Sequence, residues 1–241
     1  MHNSLVNASH GLNLGEKRLI SMAVAKLSPR AAGLPGKPIK ILAVDFAEQF
    51  GLDPTTAYEQ LRAAQENLYN RSIRHLEYYG KNGQKVEVVK MRWITSISYK
   101  DHEGEVALSF NPEIAPLLVH LKKHFTSYQL SKAAALRSTY SWRLFENLER
   151  FRSTGVWEVD VERFHTIMET PKSYRRNFND TRRFVIDPAI SELAAKTNIT
   201  AEVETIRRGR KIARLRFTFE NASQMALPLG APEQKKALEN A

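Results

Sequence analysis

The 241-residue chain is predicted to be an α+β protein of two tandem units, each a long helix and two shorter helices followed by a β-hairpin. Three observations predict this. Helical and strand periodicities run in the same order twice, once before residue 125 and once after it. In each round the third helix starts just after a tight turn, at Gly51-Leu52 and at Glu169-Thr170-Pro171. Hydrophobic residues make up 42% of the chain, enough for real cores and too many for a disordered polymer.

In the first round Leu19, Ile20, Ala23, Val24 and Leu27 are spaced as one face of a helix beginning near Gly15. Ser28 to Pro38 is rich in Pro and Gly and reads as a loop. Ile39, Ile41 and Leu42 suit a short strand, and Ala43–Phe50 a helix with Phe46, Ala47 and Phe50 inward. Asp53-Pro54 is a strong helix start, because the carboxylate caps free N–H groups and proline fits the first helical position. Behind it Ala57, Leu61, Ala64 and Leu68 give one buried face, leaving Thr55, Thr56, Tyr58, Glu59, Arg62 and Gln65 on the other. Ile73–Tyr79 and a long strand from Val86 to about Tyr99 flank Asn82-Gly83, a hairpin signal. A third strand, Val106–Phe110, and a helix from about Pro112 to Lys123 close the round.

The second round starts near Ser138, with Tyr140, Leu144, Leu148 and Phe151 as a helical stripe widened by Phe145. A strand, Val156–Val159, leads to Asp160 as N-cap of a helix that buries Phe164, Ile167 and Met168. A basic helix follows from about Ser173, and Pro188 is expected to kink or restart it with Asp187 as cap. Strands Ile199–Ile206 and Ile212–Phe219 flank the turn Arg207-Arg208-Gly209-Arg210-Lys211. Helix, turn, helix and hairpin is a winged-helix pattern. Two winged-helix domains are therefore expected, at 1–124 and 125–220, with 221–241 a polar, mobile tail.

Formal net charge is +10 and 36 Lys and Arg stand against 26 Asp and Glu. A globular protein this basic usually meets a polyanion, and nucleic acid is the commonest. Residues 126–220 carry 18 Lys and Arg against 12 Asp and Glu, so the second round is the more basic. No long apolar span or basic anchor helix argues for membrane. The opening Met1-His2-Asn3-Ser4 lacks the charged and apolar regions of a signal peptide. The absence of cysteine excludes disulfides and thiolate metal sites and fits a reducing cytoplasm.

Two clusters carry the chemistry. Lys172, Tyr174, Arg175, Arg176, Asn179, Arg182 and Arg183 stand against one acid, Asp180. On a helix, Phe178, Thr181 and Val185 face the core while Arg175, Arg176, Asn179 and Arg183 share a solvent face. Arg pairs bidentately with guanine and Asn with adenine, so this is suitable cargo for a major groove; a solvated basic face is the alternative. The second cluster places Arg207, Arg208, Arg210 and Lys211 with Arg214 and Arg216 within ten residues, with no acid among them. Such packed charge raises the energy of the isolated fold, and a phosphate surface would remove that cost. In the first round Thr55, Thr56, Tyr58 and Arg62 are candidate readers, with a plain amphipathic helix as the alternative. Lys81, Lys85, Lys90 and Arg92 either lean toward DNA or protect a strand edge.

Enzymatic readings fit poorly. Gly33-Leu34-Pro35-Gly36-Lys37-Pro38 has the wrong spacing for a phosphate loop and no Ser or Thr after the lysine. His120 and His124 share a helical face without an acidic partner, and His75, His102 and His165 are isolated. The paired histidines and tyrosine helix of a rolling-circle nicking enzyme are missing, and neither metal nor cofactor is expected.

Several blocks in order resemble the replication initiators of iteron plasmids. They are Leu5-Val6-Asn7-Ala8 with Glu16-Lys17-Arg18-Leu19-Ile20, then Phe125–Leu130 with Leu136-Arg137-Ser138 through Glu146. Ser173-Tyr174-Arg175-Arg176, Arg182-Arg183-Phe184 and Arg207-Arg208-Gly209-Arg210-Lys211 complete the set, which spans about residues 3–220. The resemblance implies two winged-helix domains gripping successive major-groove faces of a direct repeat in double-stranded origin DNA. It further implies melting of adjacent AT-rich DNA, and a host initiator, the replicative helicase and chaperones as partners. A homodimer in equilibrium with monomer would repress the protein's own gene, pairing through strands around Val86–Tyr99 and Val106–Phe110. By position, the second-domain reader is the stretch with Tyr174, Arg175, Arg176, Asn179, Arg182 and Arg183, and the first-domain reader carries Thr55, Thr56, Tyr58 and Arg62. The setting would be a bacterial cytoplasm, with the gene on a plasmid. A winged-helix transcriptional repressor without an origin role, or a DNA-nicking replication enzyme, are the alternatives.

Overall fold

A computed structural model of the chain describes residues 11–27, 38–79, 85–114, 118 and 127–221. Helix α1 (Leu14–Lys26) opens with a capping box in which Asn13 and Glu16 bond each other's backbone N–H groups at 2.9 and 2.8 Å. Strand β1 (Ile39–Leu42), α2 (Ala43–Phe50) and α3 (Pro54–Leu68) follow. In α3 the buried residues are Ala57, Leu61, Ala64 and Leu68, the four that the 3.6-residue period selects. Then come β2 (Ser72–Tyr79), β3 (Lys85–Arg92), β4 (Ile94–Lys100), a 3-10 turn at Asp101–Glu103, β5 (Glu105–Phe110) and a second 3-10 turn at Pro112–Ile114. The helix expected over Pro112–Lys123 thus begins as 3-10 and otherwise falls largely outside the described residues, as do the Ser28–Pro38 loop but for Pro38, the Asn82-Gly83 turn and the 222–241 tail.

The second half holds α4 (Ser127–Ala134), α5 (Thr139–Arg150), β6 (Val156–Asp160), α6 (Val161–Met168) and the short α7 (Lys172–Arg175). After it come α8 (Phe178–Thr181), a π turn (Arg182–Ile186), α9 (Asp187–Thr197), β7 (Ile199–Arg208) and β8 (Lys211–Asn221). Trp157, Phe164 and Phe217 form its aromatic core, with ring centroids 5.1 to 6.2 Å apart. Asp160 occupies the N-cap position of α6 as expected but makes no side-chain capping bond.

The two sheets have one topology, β1-β5-β4 and β6-β8-β7, all antiparallel. This corrects the first-round hairpin. The long strand expected from Val86 to Tyr99 is two strands broken at Trp93, whose buried side chain and backbone bond to Asn111 turn the chain. The equivalent of the second-round wing is β4–β5, and β2–β3 is a separate two-stranded hairpin inserted before it.

The helix-turn-helix corners match as closely. Gly51 and Glu169 both sit in the left-handed region, at φ 55° and 50°. Behind them Leu52 N–H bonds Ala47 O at 2.9 Å and Thr170 N–H bonds His165 O at 3.0 Å, the same helix-ending motif. Glycine takes that conformation freely. A glutamate does not, and Glu169 is held there by its side chain, which pairs with Arg143 and accepts from Gly11 N–H.

Candidate nucleic-acid interface

The basic stretch expected to be the second-domain reader is not one helix broken at Pro188. The chain breaks earlier: Asn177 is extended (φ −133°, ψ 122°) and caps α8 through Asn179 N–H at 3.0 Å. Thr181, fully buried, ties α7 to α8 by donating to Tyr174 O at 2.7 Å. From Phe178 the backbone stays helical to Thr197, and the π turn absorbs the proline. There Asp187 N–H reaches back to Arg182 O, and Asp187 keeps helical angles (φ −62°, ψ −41°) instead of acting as a cap. A proline inside a helix leaves a carbonyl unbonded, and a wider turn accommodates that gap.

On this frame Lys172, Arg175, Arg176, Asn179, Arg182 and Arg183 are at least partly exposed, and Phe178, Thr181 and Val185 face inward as the spacing indicates. The set is not uniform. Arg175 turns back, its Nε donating to Thr170 O at 2.7 Å and its Nη2 to His165 O at 3.4 Å, so it caps α6. Arg182 pairs with Asp187 at 3.3 Å. Lys172, Arg176 and Arg183 make no ion pair among the described residues. Tyr174 is half-buried and stacks on Phe184 at 5.0 Å, with the Arg183 guanidinium 5.2 Å from the Phe184 ring. Phe184 is 44% exposed, and helical periodicity offers no reason to single it out.

The wing tip is the two-residue turn Gly209-Arg210 between the pair Arg208 and Lys211. The register slips between Ile206 and Arg207, leaving Ala213 as an extra residue that bends the wing. Arg207, Arg208, Arg210 and Lys211 are exposed and, among the described residues, without an acidic partner. Arg214 and Arg216 differ from the expectation of an uncompensated run. Across the sheet Arg216 pairs with Glu158 at 3.1 Å, and Arg214 pairs with Glu158 and lies 3.7 Å from Asp160. Acids distant in sequence become neighbours through strand pairing, so only the tip keeps unbalanced charge.

In the first domain Asp53 caps α3, accepting from Thr56 N–H at 2.9 Å and from the Thr56 hydroxyl. Those bonds hold the Asp53 carboxyl below its usual range. Thr56 is thus committed to the cap, while Thr55 and Arg62 are exposed. Tyr58 is 39% exposed and lies over Gly104, where a Cβ would come within 2.5 Å of its hydroxyl. The corresponding wing tip is acidic, Asp101-His102-Glu103. Lys90 and Arg92 lie on the inserted hairpin instead, with Arg92 over the Tyr69 ring at 4.6 Å.

Charged residues that no local pattern marks for burial lie where the two halves meet. Glu16, Lys17, Arg18 and Arg143 are buried. Lys17 pairs with Glu146 at 2.8 Å, and burial pulls its ammonium pKa down against the pull of that carboxylate. Arg18 donates to Gln60 and to Leu136 O, both at 3.0 Å, and burial pushes it down to about 10, so it stays charged. Among the described residues no three His, Asp or Glu converge as a metal site, and no helix is long and apolar enough to cross a membrane.

A tandem winged-helix protein, each unit with a third helix and a wing open to solvent, is the class that this fold and these surfaces define. Residues 1–149 match the family described as initiator replication protein, WH1, and residues 160–219 match its partner, initiator Rep protein, WH2. The chain belongs to this family of replication initiator proteins. It is 27% identical over 247 residues to the PI protein of Escherichia coli, covering 90% of this chain and 80% of that protein. To a probable replication protein rep of Bifidobacterium longum it is 25% identical over 131 residues, covering 53% of this chain and 43% of that protein. The crystal structure of Pi initiator protein in complex with iteron DNA superposes with a TM-score of 0.71 at 23% identity, covering 90% of this chain and 93% of the other. At that identity the likeness speaks for the fold.

Proposed function

We propose that the protein binds direct-repeat (iteron) double-stranded DNA at a plasmid origin and starts replication there. The observation that carries this is the set of unbalanced, exposed cations on the second-domain reader and wing tip, Lys172, Arg176, Arg183, Arg207, Arg208, Arg210 and Lys211. Their charge suits phosphates, and the Arg and Asn side chains near the start of the reader suit base edges in a major groove. Family membership and the similar fold of an initiator solved on iteron DNA support the same reading. The first-domain helix, with Thr55, Tyr58 and Arg62, takes a second contact. Residues 1–124 and 125–220 act as the two binding units, and 221–241 as a tail. Bound protein helps melt adjacent DNA and recruits the host initiator and helicase, and a dimeric form represses its gene.

Fluorescence anisotropy on duplexes flanking the gene, against scrambled controls in a salt series, tests the binding. A specificity ratio of roughly 10³ or more is expected for a sequence reader. Equal, steeply salt-dependent binding to every duplex would withdraw it. Permanganate reactivity of the neighbouring AT-rich DNA tests melting. If a plasmid carrying the repeats replicates without the gene, the protein is a repressor with no origin role.

A further inference from the structure

The segment between α4 and α5 is four residues long, 135–138, and it touches the corner before the first reading helix and the helix that follows the second. The Arg137 guanidinium donates to Phe50 O at 3.0 Å and Gly51 O at 3.3 Å, the corner that launches α3. Its backbone N–H donates to Glu192 Oε1 at 2.6 Å, and Glu192 lies on α9, the helical continuation of the second reader. One residue therefore spans from the first corner to α9, the helix behind the second reader. Beside it, Arg18 bridges Gln60 on α3 to Leu136 O with its guanidinium over the Phe50 ring at 5.3 Å. At the other corner Glu169 accepts from Gly11 N–H at 2.7 Å, across the domain boundary.

A flexible tether would need none of these bonds. We propose that this junction locks the two readers at one offset, so that the protein measures the spacing between two sub-sites within a repeat, with Arg137 and Glu192 as specificity-determining residues for that spacing. The proposal rests on the DNA-binding reading above. Inserting one base pair between the sub-sites displaces the second by about 3.4 Å and rotates it by roughly 34°. A locked pair cannot follow that movement, whereas two heads on a loose joint can.

The test uses the full chain and a repeat whose two contacted blocks have been located by footprinting. Affinity is measured for the native duplex, for one with a base pair inserted between the blocks, and for the second block alone. The wild-type protein is expected to lose about 10²–10⁴-fold on insertion, the advantage of simultaneous engagement. Arg137→Ala with Glu192→Ala should lose less than about tenfold, with affinity for the isolated block unchanged. Arg137→Lys keeps the charge without the two-carbonyl fork, and serves if the double variant fails to fold. Glu192→Gln, which still accepts the Arg137 N–H, should restore discrimination. A wild-type protein indifferent to the insertion, or folded variants as discriminating as wild type, overturns the proposal. Absence of any sequence preference in the wild type instead sinks the binding reading beneath it.

Discussion

Arginines of one short stretch have separate work to do. Arg176 and Arg183 are exposed and, among the described residues, without an acidic partner. Replacing either with alanine should cost specific binding roughly 1–3 kcal/mol, read by anisotropy on matched and mismatched duplexes. Arg175 closes the end of α6 through the carbonyls of Thr170 and His165. Arg175→Ala should therefore lower stability to urea by about 1 kcal/mol. His165 is buried beside it with Nδ1 unpartnered, and burial, then Arg175, lower its pKa from 6.5, while Glu162 acts the other way. The unfolded chain then takes up a proton first, so stability is full above pH 6.5 and falls on acidification toward the lower folded pKa. His165→Gln should flatten that slope in urea melts taken across the window.

At the scale of elements, the two wings differ in sign. The second tip carries Arg207, Arg208, Arg210 and Lys211, and the first carries Asp101 and Glu103. Neutralising the second tip should weaken all duplexes alike and reduce the salt slope by about 0.9 for each phosphate the tip engages. A change confined to the cognate repeat would mean that the tip reads bases. The basic run at this tip was legible in the sequence, because its charges are contiguous. The compensation of Arg214 and Arg216 was not, since Glu158 and Asp160 reach them only through the β6–β8 register. The Trp93 break and the inserted hairpin were equally hidden: apolar residues recur through both strands without a turn residue between them, and only hydrogen bonding separates two sheets.

The whole molecule is joined by ionic contacts between largely buried side chains. Glu146 accepts from both Lys17 and the Trp142 indole N–H, at 2.8 and 3.0 Å. Glu146→Ala leaves the Lys17 ammonium buried without its partner, and a loss of roughly 3–5 kcal/mol is expected. Because Arg137, Arg18 and Glu169 also join the halves, the transition should stay single and move to lower urea, with tryptophan fluorescence and circular dichroism coinciding. An unshifted transition would show that the Lys17–Glu146 pair contributes nothing to stability.

The sequence by itself was enough to place α1, β1, α2, α3, β2 and β5 of the first round, α5, β6, α6, β7 and β8 of the second, the buried face of α3, the Asp53 cap and the two basic clusters. All of these follow from periodicity and from chemistry between near neighbours in the chain. Its ordered blocks also pointed to the family. Tertiary structure alone decided which strands form the first wing, where the second reader breaks and which arginines remain free. It also decided that Glu16, Lys17 and Arg18, charged residues on the first helix, are buried. The physical reason is that burial and ion pairing depend on residues far apart in sequence: Lys17 finds Glu146, Arg18 finds Leu136, and Arg137 reaches both Phe50 and Glu192.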